Sequence, residues 1–428
     1  MTCMERKRGL TVGDRKRIIK NSFFLYALTF SNYFIGLLLF PYLSRVLSVE
    51  KFGLIGFSTS ICLVFQMIVE FGFQLSTTAE ISLHREDGKV ISRLLSSMTI
   101  AKMVLAAMST IAFLCCTLFI DMLKEHFVLV SIFYIDSIVK ALLPDAYFRG
   151  IEQMKAITIR TVAAKSGILV VSLILVRGDE NLIFYPLSMV IFDSIALVWA
   201  FALIHKDNIK FVKTSISEIF SSIKSSFWFF ISRISVSING SLGSIFLGMK
   251  FLPESVEMGL FSGATKISTV GEQMIPPIGD SLYPFMVRKK DYSIFYKVIL
   301  FGGVFWFLGC SFVFIFANPI CAIVLGNNYY DAGQYLRILV VGVFFGYFGF
   351  MFGYPALSPI GKAVYANAAI MVSAIINVIA CMILWATDNI SVLSVSIVFG
   401  SSDIVVFIVR FCAFMKFKSM YSYTAVNK

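Results

Sequence analysis

Charged residues are scarce in this sequence: Asp, Glu, Lys and Arg make up 14% of its 428 residues, whereas 58% are hydrophobic. Soluble domains carry nearly twice that charged fraction, so this chain could not keep its surface in water. The apolar residues fall in segments of about 20, the length that crosses a hydrocarbon core of about 30 Å at 1.5 Å per residue. The composition therefore excludes a water-soluble protein and predicts an all-α, polytopic membrane protein.

Patterns typical of catalysis and metal binding are also lacking. The cysteines have no CxxC or metal-ligand spacing, and seven of the eight lie in apolar segments. His84, His126 and His205 are scattered over different loops, without a carboxylate or nucleophile arranged for catalysis. The ATP-binding pattern GxxxxGK[ST] does not occur. We therefore expect no enzyme activity, no metal and no cofactor.

Apolar segments, separated by clusters of charged, Gly and Pro residues, predict the membrane helices. About twelve are expected. They lie near residues 21–44, 52–75, 96–120, 127–148, 161–176, 182–204, 227–251, 257–285, 294–318, 336–357, 364–386 and 390–415.

Lys and Arg are distributed unevenly among the connecting segments. With the N terminus inside, the inner segments hold 27 of the 37 Lys and Arg, the outer loops hold six, and four lie within helices. Because cytoplasmic segments retain positive charge, this count predicts that both termini are cytoplasmic. The same bias explains the net charge of +12 without a nucleic-acid partner. The first apolar stretch is too long for a signal-peptide core, so we expect it to remain as the first helix.

The predicted helices divide into two lobes of six. The expected domains are a basic cytoplasmic segment 1–20, a first lobe 21–204, a basic cytoplasmic linker 205–226, a second lobe 227–415 and a cytoplasmic tail 416–428. VEKFGL at 49–54 and VEMGL at 256–260 enter the second and eighth helices and resemble each other. Parallel repeats would place a pseudo-twofold axis along the membrane normal. A match of this length is explained equally well by chance.

Four sequence blocks, in order, resemble one transporter family. They are NSFFLYALTFSNYFIGLLLFPYLSRVLSVEKFGLIGFS (21–58), EFGFQLSTTAEISLHRED (70–87), PDAYFRGIEQMKAITIRTVAAK (144–165) and GLFSGATKISTVGEQMIPPIGDSLYPF (259–285). They resemble the Wzx-type O-antigen flippases, the polysaccharide-transport branch of the MATE-like MOP superfamily. The resemblance implies two six-helix lobes around a hydrated cavity. It also implies transfer of undecaprenyl-pyrophosphate-linked repeat units from the cytoplasmic to the periplasmic leaflet of a bacterial inner membrane.

The resemblance also sets the expected partners and the alternatives. The partners are the lipid-linked oligosaccharide, membrane lipids, a coupling ion (H⁺ or Na⁺) and other polysaccharide-assembly proteins. One alternative with the same fold is a MATE-type multidrug or cation antiporter. Another is a membrane polymerase or ligase of lipid-linked sugars, although the predicted outer loops are short for such enzymes.

Cations at bilayer depth are candidates for holding the pyrophosphate. An ionisable side chain there costs about 2.5 to 3.5 kcal/mol, so it should face water or a partner. Arg233 and Lys266 lie near the middle of helices seven and eight, each within a stripe of Ser and Thr, and Lys140 lies on helix four. An Arg fork and a mobile Lys together suit a pyrophosphate. The alternative is that each cation pairs with a carboxylate such as Glu70 or Glu272.

Two carboxylates are candidates for ion coupling. Glu70 follows Gln66 and precedes Gln74 at four-residue steps, which predicts one polar face on helix two. Asp136 is four residues from Lys140, so it is either a coupling site or one half of a structural ion pair. Asp145 and Arg149 repeat that spacing, and we expect a solvated pair there.

Overall fold

The computed structural model describes residues 12–289 and 292–426, and these residues form eighteen α-helices. They are α1 Val12–Val46, α2 Val49–Glu70, α3 Phe73–Leu83, α4 Gly88–Phe119, α5 Asp121–Glu125, α6 Phe127–Leu142, α7 Asp145–Gly150, α8 Met154–Leu175, α9 Phe184–Lys206, α10 Ile216–Phe251, α11 Val256–Gln273, α12 Pro276–Lys289, α13 Tyr292–Ile315, α14 Ala317–Leu325, α15 Ala332–Met351, α16 Tyr354–Leu357, α17 Val364–Ala386 and α18 Val392–Val426. Within these ranges there is no β-strand. The all-α prediction is confirmed.

Eleven stretches of this described chain are long and apolar enough to cross a membrane. They match eleven of the twelve predicted spans, and the exception is the eighth. Its first part, α11, carries Glu257, Lys266 and Glu272 within 18 residues. Despite this polarity α11 packs between α2 and α15 inside the bundle. The eighth helix therefore occupies the expected place, and Lys266 and Glu272 each line a cavity, whereas Glu257 is exposed near its start.

Several helices extend further than the apolar segments predicted. α10 begins at Ile216, where Ser215 and Glu218 form a reciprocal capping box, although the prediction began at 227. α8 begins at Met154 instead of 161. Arg160, Lys165 and Arg410, which are among the 27 Lys and Arg assigned to the inner segments, therefore lie inside helices. Backbone hydrogen bonding continues a helix beyond its apolar part, so hydropathy alone places the ends too far inward.

Four predicted spans are interrupted, and they occupy the same ordinal positions in both halves. The second span breaks between α2 and α3, the fourth between α6 and α7, the eighth between α11 and α12, and the tenth between α15 and α16. At the first break Phe71 and Gly72 both adopt positive φ, 42° and 75°. A Cβ on Gly72 would also lie 2.7 Å from the Phe230 amide nitrogen, so glycine is required there.

The helices form the two predicted six-helix lobes. In the first lobe α1 packs on α8, α8 on α9, α9 on α6 and α6 on α2. In the second, α13 packs on α15, α15 on α18, α18 on α17 and α17 on α10. The non-helical stretch between α9 and α10 is fixed to the first lobe, because the amides of Lys210 and Val212 donate to the hydroxyls of Ser92 and Ser96. The exact domain boundaries stay predictions.

The lobes meet where α2 crosses α10 and α11. The two similar sequence segments form part of this crossing: Ser48 caps α2 and Ser255 caps α11 in the same way. A Cβ on Gly53 would lie 2.7 Å from the amide nitrogen of Gly259, so the backbones touch. Equivalent segments of the two halves therefore contact each other, as expected close to a pseudo-twofold axis. Ser76 and Ser226, whose hydroxyls are 2.6 Å apart, join the lobes again towards the opposite end of α10.

Candidate functional site

A polar cavity of about 690 Å³ lies within the second lobe. Its walls come from α10, α11, α12, α15, α16, α17 and α18. Glu272, Asp403 and Arg410 are the charged residues among those lining it. Its principal other polar residues are Asn239, Thr265, Ser268, Thr269, Tyr283, Tyr354 and Ser402.

The two cavity carboxylates have no cationic partner among the described residues. Glu272 is exposed to the cavity and accepts a 3.2 Å hydrogen bond from Ser268. Asp403 makes no hydrogen bond to a described residue, and it lies close enough to Glu272 for their charges to repel. Asp403 is not among the residues predicted from the sequence, although a lone Asp in the apolar twelfth helix is itself a signal of function. The arrangement leaves the carboxylates of Glu272 and Asp403 available to bind a ligand within the cavity.

The guanidinium of Arg410 is occupied by backbone carbonyls. Its Nη1 donates to the Gly349 carbonyl at 2.8 Å, and its Nη2 and Nε donate to the Ala366 carbonyl at 2.8 and 3.2 Å. Gly349 lies near the end of α15, where the tenth span breaks, so Arg410 satisfies one carbonyl that the break exposes and joins it to Ala366 in the first turn of α17. It therefore supports the cavity wall and does not neutralise the two carboxylates by direct contact.

Amide side chains tie three walls of this cavity together. Asn377 on α17 donates to Asn239 on α10 at 2.8 Å and to Ser402 on α18 at 2.6 Å. Asn377 is only 1% exposed, so both bonds are sheltered from solvent. A buried network of this kind fixes the relative positions of the helices that carry it.

A second cavity, of about 420 Å³, lies on the other side of α11 and is lined almost entirely by apolar residues. It is bounded by α1 of the first lobe and by α13, α14 and α15 of the second. Lys266 is the single charged residue among those lining it. The Lys266 ammonium lies 4.4 Å from the centre of the Phe40 ring and makes no ion pair with a described residue. The predicted pairing with Glu272 is not present, because Glu272 faces the polar cavity.

The structure does not bring the three predicted phosphate-binding cations together. Arg233 lies about 27 Å along α10 from Phe251 and Lys266 about 15 Å along α11 from Val256, at 1.5 Å per residue. A short turn joins the end of α10 at Phe251 to the start of α11 at Val256. Arg233 and Lys266 therefore lie at depths in the membrane that differ by about 12 Å. Arg233 lines neither cavity. A shared clamp stays a prediction, and it requires a conformation other than this one.

Lys140 is engaged within the first lobe. Its ammonium is 2.6 Å from Asp136, the i,i+4 partner that the spacing predicted, and 3.5 Å from Asp193 on α9. Both carboxylates are buried. Asp193 was missed, although it is an isolated carboxylate in the predicted sixth span and its rarity there is a usable signal. The roles of Lys140 in binding and Asp136 in coupling stay predictions.

Glu70 lies at the end of α2, directly before the break at Phe71. Gln66 donates to its carboxylate at 2.8 Å, so these two residues share a face as predicted. Gln74 lies beyond the break on α3, and the four-residue periodicity does not continue to it. The ion-coupling role of Glu70 stays a prediction.

Two further buried cations serve the broken fourth span. Lys102, which is 4% exposed, donates to the carbonyls of Ala141 and Leu143 at 2.6 and 3.1 Å, where α6 ends. Asp145 of α7 pairs with the buried Arg160 of α8. The predicted solvated pair of Asp145 with Arg149 is therefore wrong, because sequence spacing within one helix cannot show a partner on another.

These features define a class of protein: a transporter-like bundle of two six-helix lobes with a polar cavity and an adjacent apolar one. A solved structure of the lipid II flippase MurJ, in an inward closed conformation, superposes with a TM-score of 0.69 at 12% identity, covering 92% of this chain and 87% of that one. An inward-facing multidrug resistance MATE transporter of the MOP superfamily gives 0.66 at 13% identity, covering 92% and 96%. At such identities these similarities show the fold alone.

The sequence comparisons are more specific. The model of the polysaccharide biosynthesis protein family matches residues 18–290, and the chain belongs to this family. A proposed O-antigen transporter of Escherichia coli (strain K12) is 26% identical over 331 residues, 75% of this chain and 78% of that protein. Its counterpart in Shigella dysenteriae is 26% identical over 325 residues, 74% and 80%. The resemblance to O-antigen transporters of the polysaccharide family is thereby confirmed, and the fold is the MATE-like fold that the resemblance implied.

Proposed function

We propose that this chain is a flippase for lipid-linked oligosaccharides. Its substrate is an undecaprenyl-pyrophosphate-linked O-antigen repeat unit, which it moves from the cytoplasmic to the periplasmic leaflet of the bacterial inner membrane. Movement is by alternating access and is coupled to H⁺ or Na⁺. The observation that carries the proposal is the pair of cavities on either side of α11, one polar and one apolar. An amphiphile with a sugar part and a hydrocarbon part needs both kinds of environment.

The polar cavity suits a sugar. Amide, hydroxyl and carboxylate groups can bond sugar hydroxyls, and Tyr283 and Tyr354 add aromatic surface beside them. The family relatives named as proposed O-antigen transporters agree with this substrate class. The partners proposed are the lipid-linked oligosaccharide, membrane lipids and other polysaccharide-assembly proteins. Both termini are proposed to be cytoplasmic, and no enzymatic step is proposed.

A multidrug or cation antiporter is the second candidate, and one observation favours it. Glu272 and Asp403 make the polar cavity acidic, and the nearby Arg410 is engaged with backbone carbonyls. Acidic groups attract organic cations. Family membership favours the flippase. The apolar cavity with its single Lys266 favours it too, because a small organic cation would need neither an apolar cavity nor a positive charge.

Complementation distinguishes the two. A strain that lacks its own O-antigen flippase would receive this chain on a plasmid, and its surface polysaccharide would be measured on lipopolysaccharide gels. The sensitivity of the same cells to cationic dyes would be measured in parallel. We expect polysaccharide to return and dye sensitivity to stay unchanged. Lowered dye sensitivity without surface polysaccharide would show the antiporter instead.

A further inference from the structure

A large basic pocket lies at one end of the first lobe, apart from both cavities described above. It has a volume of about 1250 Å³ and is formed by the turn after α3, the first turns of α4 and the segment 207–215 between the lobes. The acids that line it are Glu86 and Asp87, and the cations are Arg85, Lys89, Arg93, Lys210 and Lys213. Asp87 is already engaged, because its carboxylate accepts hydrogen bonds from two backbone amides at the start of α4. The pocket therefore carries an excess of positive charge.

Three of these cations have no carboxylate partner among the described residues. Arg85 pairs with Glu152, and the exposed Arg93 lies 3.5 Å from Glu218. The three that are left are Lys89, Lys210 and Lys213, and all of them are exposed. One unpaired surface lysine is ordinary, but several around one pocket create a field that attracts an anion.

The backbone keeps these lysines around the same pocket. Lys89 lies in the first turn of α4. The segment that carries Lys210 and Lys213 is bonded to the same helix, because two of its backbone amides donate to the hydroxyls of Ser92 and Ser96. The segment cannot take its lysines away from α4 without breaking these hydrogen bonds. The fold thus holds like charges near one another, and a bound anion would relieve their repulsion.

The pocket lies at the level of lipid headgroups. α4 is a membrane span with many exposed apolar side chains, such as Met108 and Leu118, and these face lipid. Its 32 residues span about 48 Å, whereas the hydrocarbon core is about 30 Å thick. Apart from the buried Lys102, its charged residues are Lys89 and Arg93 in the first two turns. These first turns are therefore the part of α4 that extends beyond the hydrocarbon core.

Apolar side chains in the lining favour a lipid over a soluble anion. Leu83 is 81% exposed and Val212 is 40% exposed, and both line the pocket together with its lysines. A soluble phosphate would gain nothing from these two side chains, whereas the first carbons of an acyl chain would cover them. Basic pockets at the cytoplasmic ends of membrane helices bind anionic lipid headgroups in other proteins.

We propose that this pocket binds the headgroup of an anionic phospholipid, with phosphate oxygens between Lys89 on one side and Lys210 and Lys213 on the other. The acyl chains begin against Leu83 and Val212. Three unpaired lysines exceed the charge of one phosphodiester, so diphosphatidylglycerol, which has two, is the preferred ligand. A bound headgroup joins α4 to the segment 207–215 and so strengthens the attachment of that segment to the first lobe.

The chain offers two variants that differ only in where charge is removed. The pocket variant combines Lys89→Gln, Lys210→Gln and Lys213→Gln. The control variant removes the same charge at exposed lysines that do not line the pocket, and it combines Lys155→Gln, Lys224→Gln and Lys297→Gln. Because all six side chains are exposed, we expect both variants to fold with the melting temperature of the wild type.

The full chain would be purified in a neutral detergent and titrated with diphosphatidylglycerol, phosphatidylglycerol or phosphatidylethanolamine, and bound lipid would be counted by native mass spectrometry. Wild type should bind diphosphatidylglycerol about tenfold more tightly than phosphatidylglycerol, as expected for one more charge-assisted contact. Phosphatidylethanolamine should bind more weakly than either. The pocket variant should bind diphosphatidylglycerol about a hundredfold more weakly, since each lysine near an anionic lipid surface strengthens binding about fivefold. The control variant should bind like the wild type.

Hydrogen exchange gives a second measurement that a change in bulk charge would not alter. The amides of Lys210 and Val212 make the bonds to α4. Both should exchange more slowly when diphosphatidylglycerol is bound to the wild type or to the control variant. The pocket variant should show no such protection.

Three results would overturn the proposal. They are equal affinity of the pocket and control variants for diphosphatidylglycerol, equal affinity of the wild type for diphosphatidylglycerol and phosphatidylethanolamine, and complete displacement of the lipid by an equal concentration of inorganic phosphate. The last would make the pocket a site for soluble anions. The assay involves no sugar and no transport, so its outcome is independent of the complementation test of the proposed function.

Discussion

The two lobes treat their buried charges differently. In the first lobe three carboxylates have cations: Asp136 and Asp193 share Lys140, and Asp145 pairs with Arg160, whereas Glu70 is bonded, among the described residues, only by the Gln66 amide. In the second lobe Glu272 and Asp403 line a cavity without a cation in contact among the described residues. A paired charge chiefly holds helices in place, whereas an unpaired one at bilayer depth is retained for a ligand. From this difference we predict a structural role for the paired charges of the first lobe and a role in recognition for the two carboxylates of the second.

What the lobes share makes the difference clearer. Each has a broken span at its fourth position, and in each a buried cation donates to backbone carbonyl oxygen at the break: Lys102 to Ala141 and Leu143 in the first lobe, Arg410 to Gly349 in the second. The breaks themselves therefore do not distinguish the lobes. The comparison rests on the carboxylates, which substitutions can test one lobe at a time.

The largest effect is expected in the first lobe. Arg160→Ala would leave Asp145 without its partner, and breaking a buried pair by removing one member costs about 3 to 5 kcal/mol. We expect little folded protein, measured by size-exclusion yield and by melting in detergent. Arg93→Ala is the control, because Arg93 also pairs with a carboxylate, Glu218, but is 68% exposed. A wild-type melting temperature for Arg160→Ala would show that paired charges in this lobe are not structural.

The second-lobe carboxylates should behave in the opposite way. Glu272→Gln and Asp403→Asn remove charges that have no cationic contact, so yield and melting temperature should hold or rise. Transport should fall about tenfold or more, since one charge-assisted contact to a ligand is worth about 1.5 to 3 kcal/mol. Surface polysaccharide at equal protein level measures it. If both variants export normally, the polar cavity does not recognise the substrate through the carboxylates of Glu272 and Asp403.

Glu70 tests whether the first lobe also has a functional charge. Glu70→Gln keeps the hydrogen bond from Gln66 possible and removes the carboxylate. We expect a few-fold slower transport with a flatter dependence on pH and no loss of folded protein. Initial rates at several pH values measure it, with Glu80→Gln as the control on the neighbouring α3. An unchanged pH profile would make Asp136 the next candidate for coupling.

The smallest effect is expected at the contact between the lobes. Lys51 of α2 pairs with Glu254, just before α11, at 2.6 Å, and both side chains are about one third exposed. Lys51→Met should change stability by less than about 1 kcal/mol, because a pair this exposed is largely screened. Melting at low and high salt measures the change. A loss of several degrees would show that this pair, and not the glycine crossing beside it, holds the lobes together.

Much of the architecture follows from the sequence, since apolar segments of membrane length are a local signal. The Asp136–Lys140 pair and the Gln66–Glu70 face were also predictable, because partners within one helix follow from its period. Contacts between different helices were not predictable from the sequence. The pairing of Asp145 with Arg160, and the use of Lys102 and Arg410 as caps for broken spans, depend on tertiary packing. The break at Phe71 and Gly72 lies within one span of high mean hydropathy, so hydropathy could not show it.

The central claim is that the chain moves a lipid-linked oligosaccharide across a bilayer. The most direct test reconstitutes it in liposomes with a polyprenyl-pyrophosphate oligosaccharide that is fluorescent on its sugar, and follows the probe with a quencher that cannot cross the membrane. We predict that wild-type protein makes the inner-leaflet probe accessible several times faster than the Glu272→Gln, Asp403→Asn double variant. An imposed H⁺ or Na⁺ gradient should change the rate. Equal rates in wild-type, double-variant and protein-free liposomes would contradict the account.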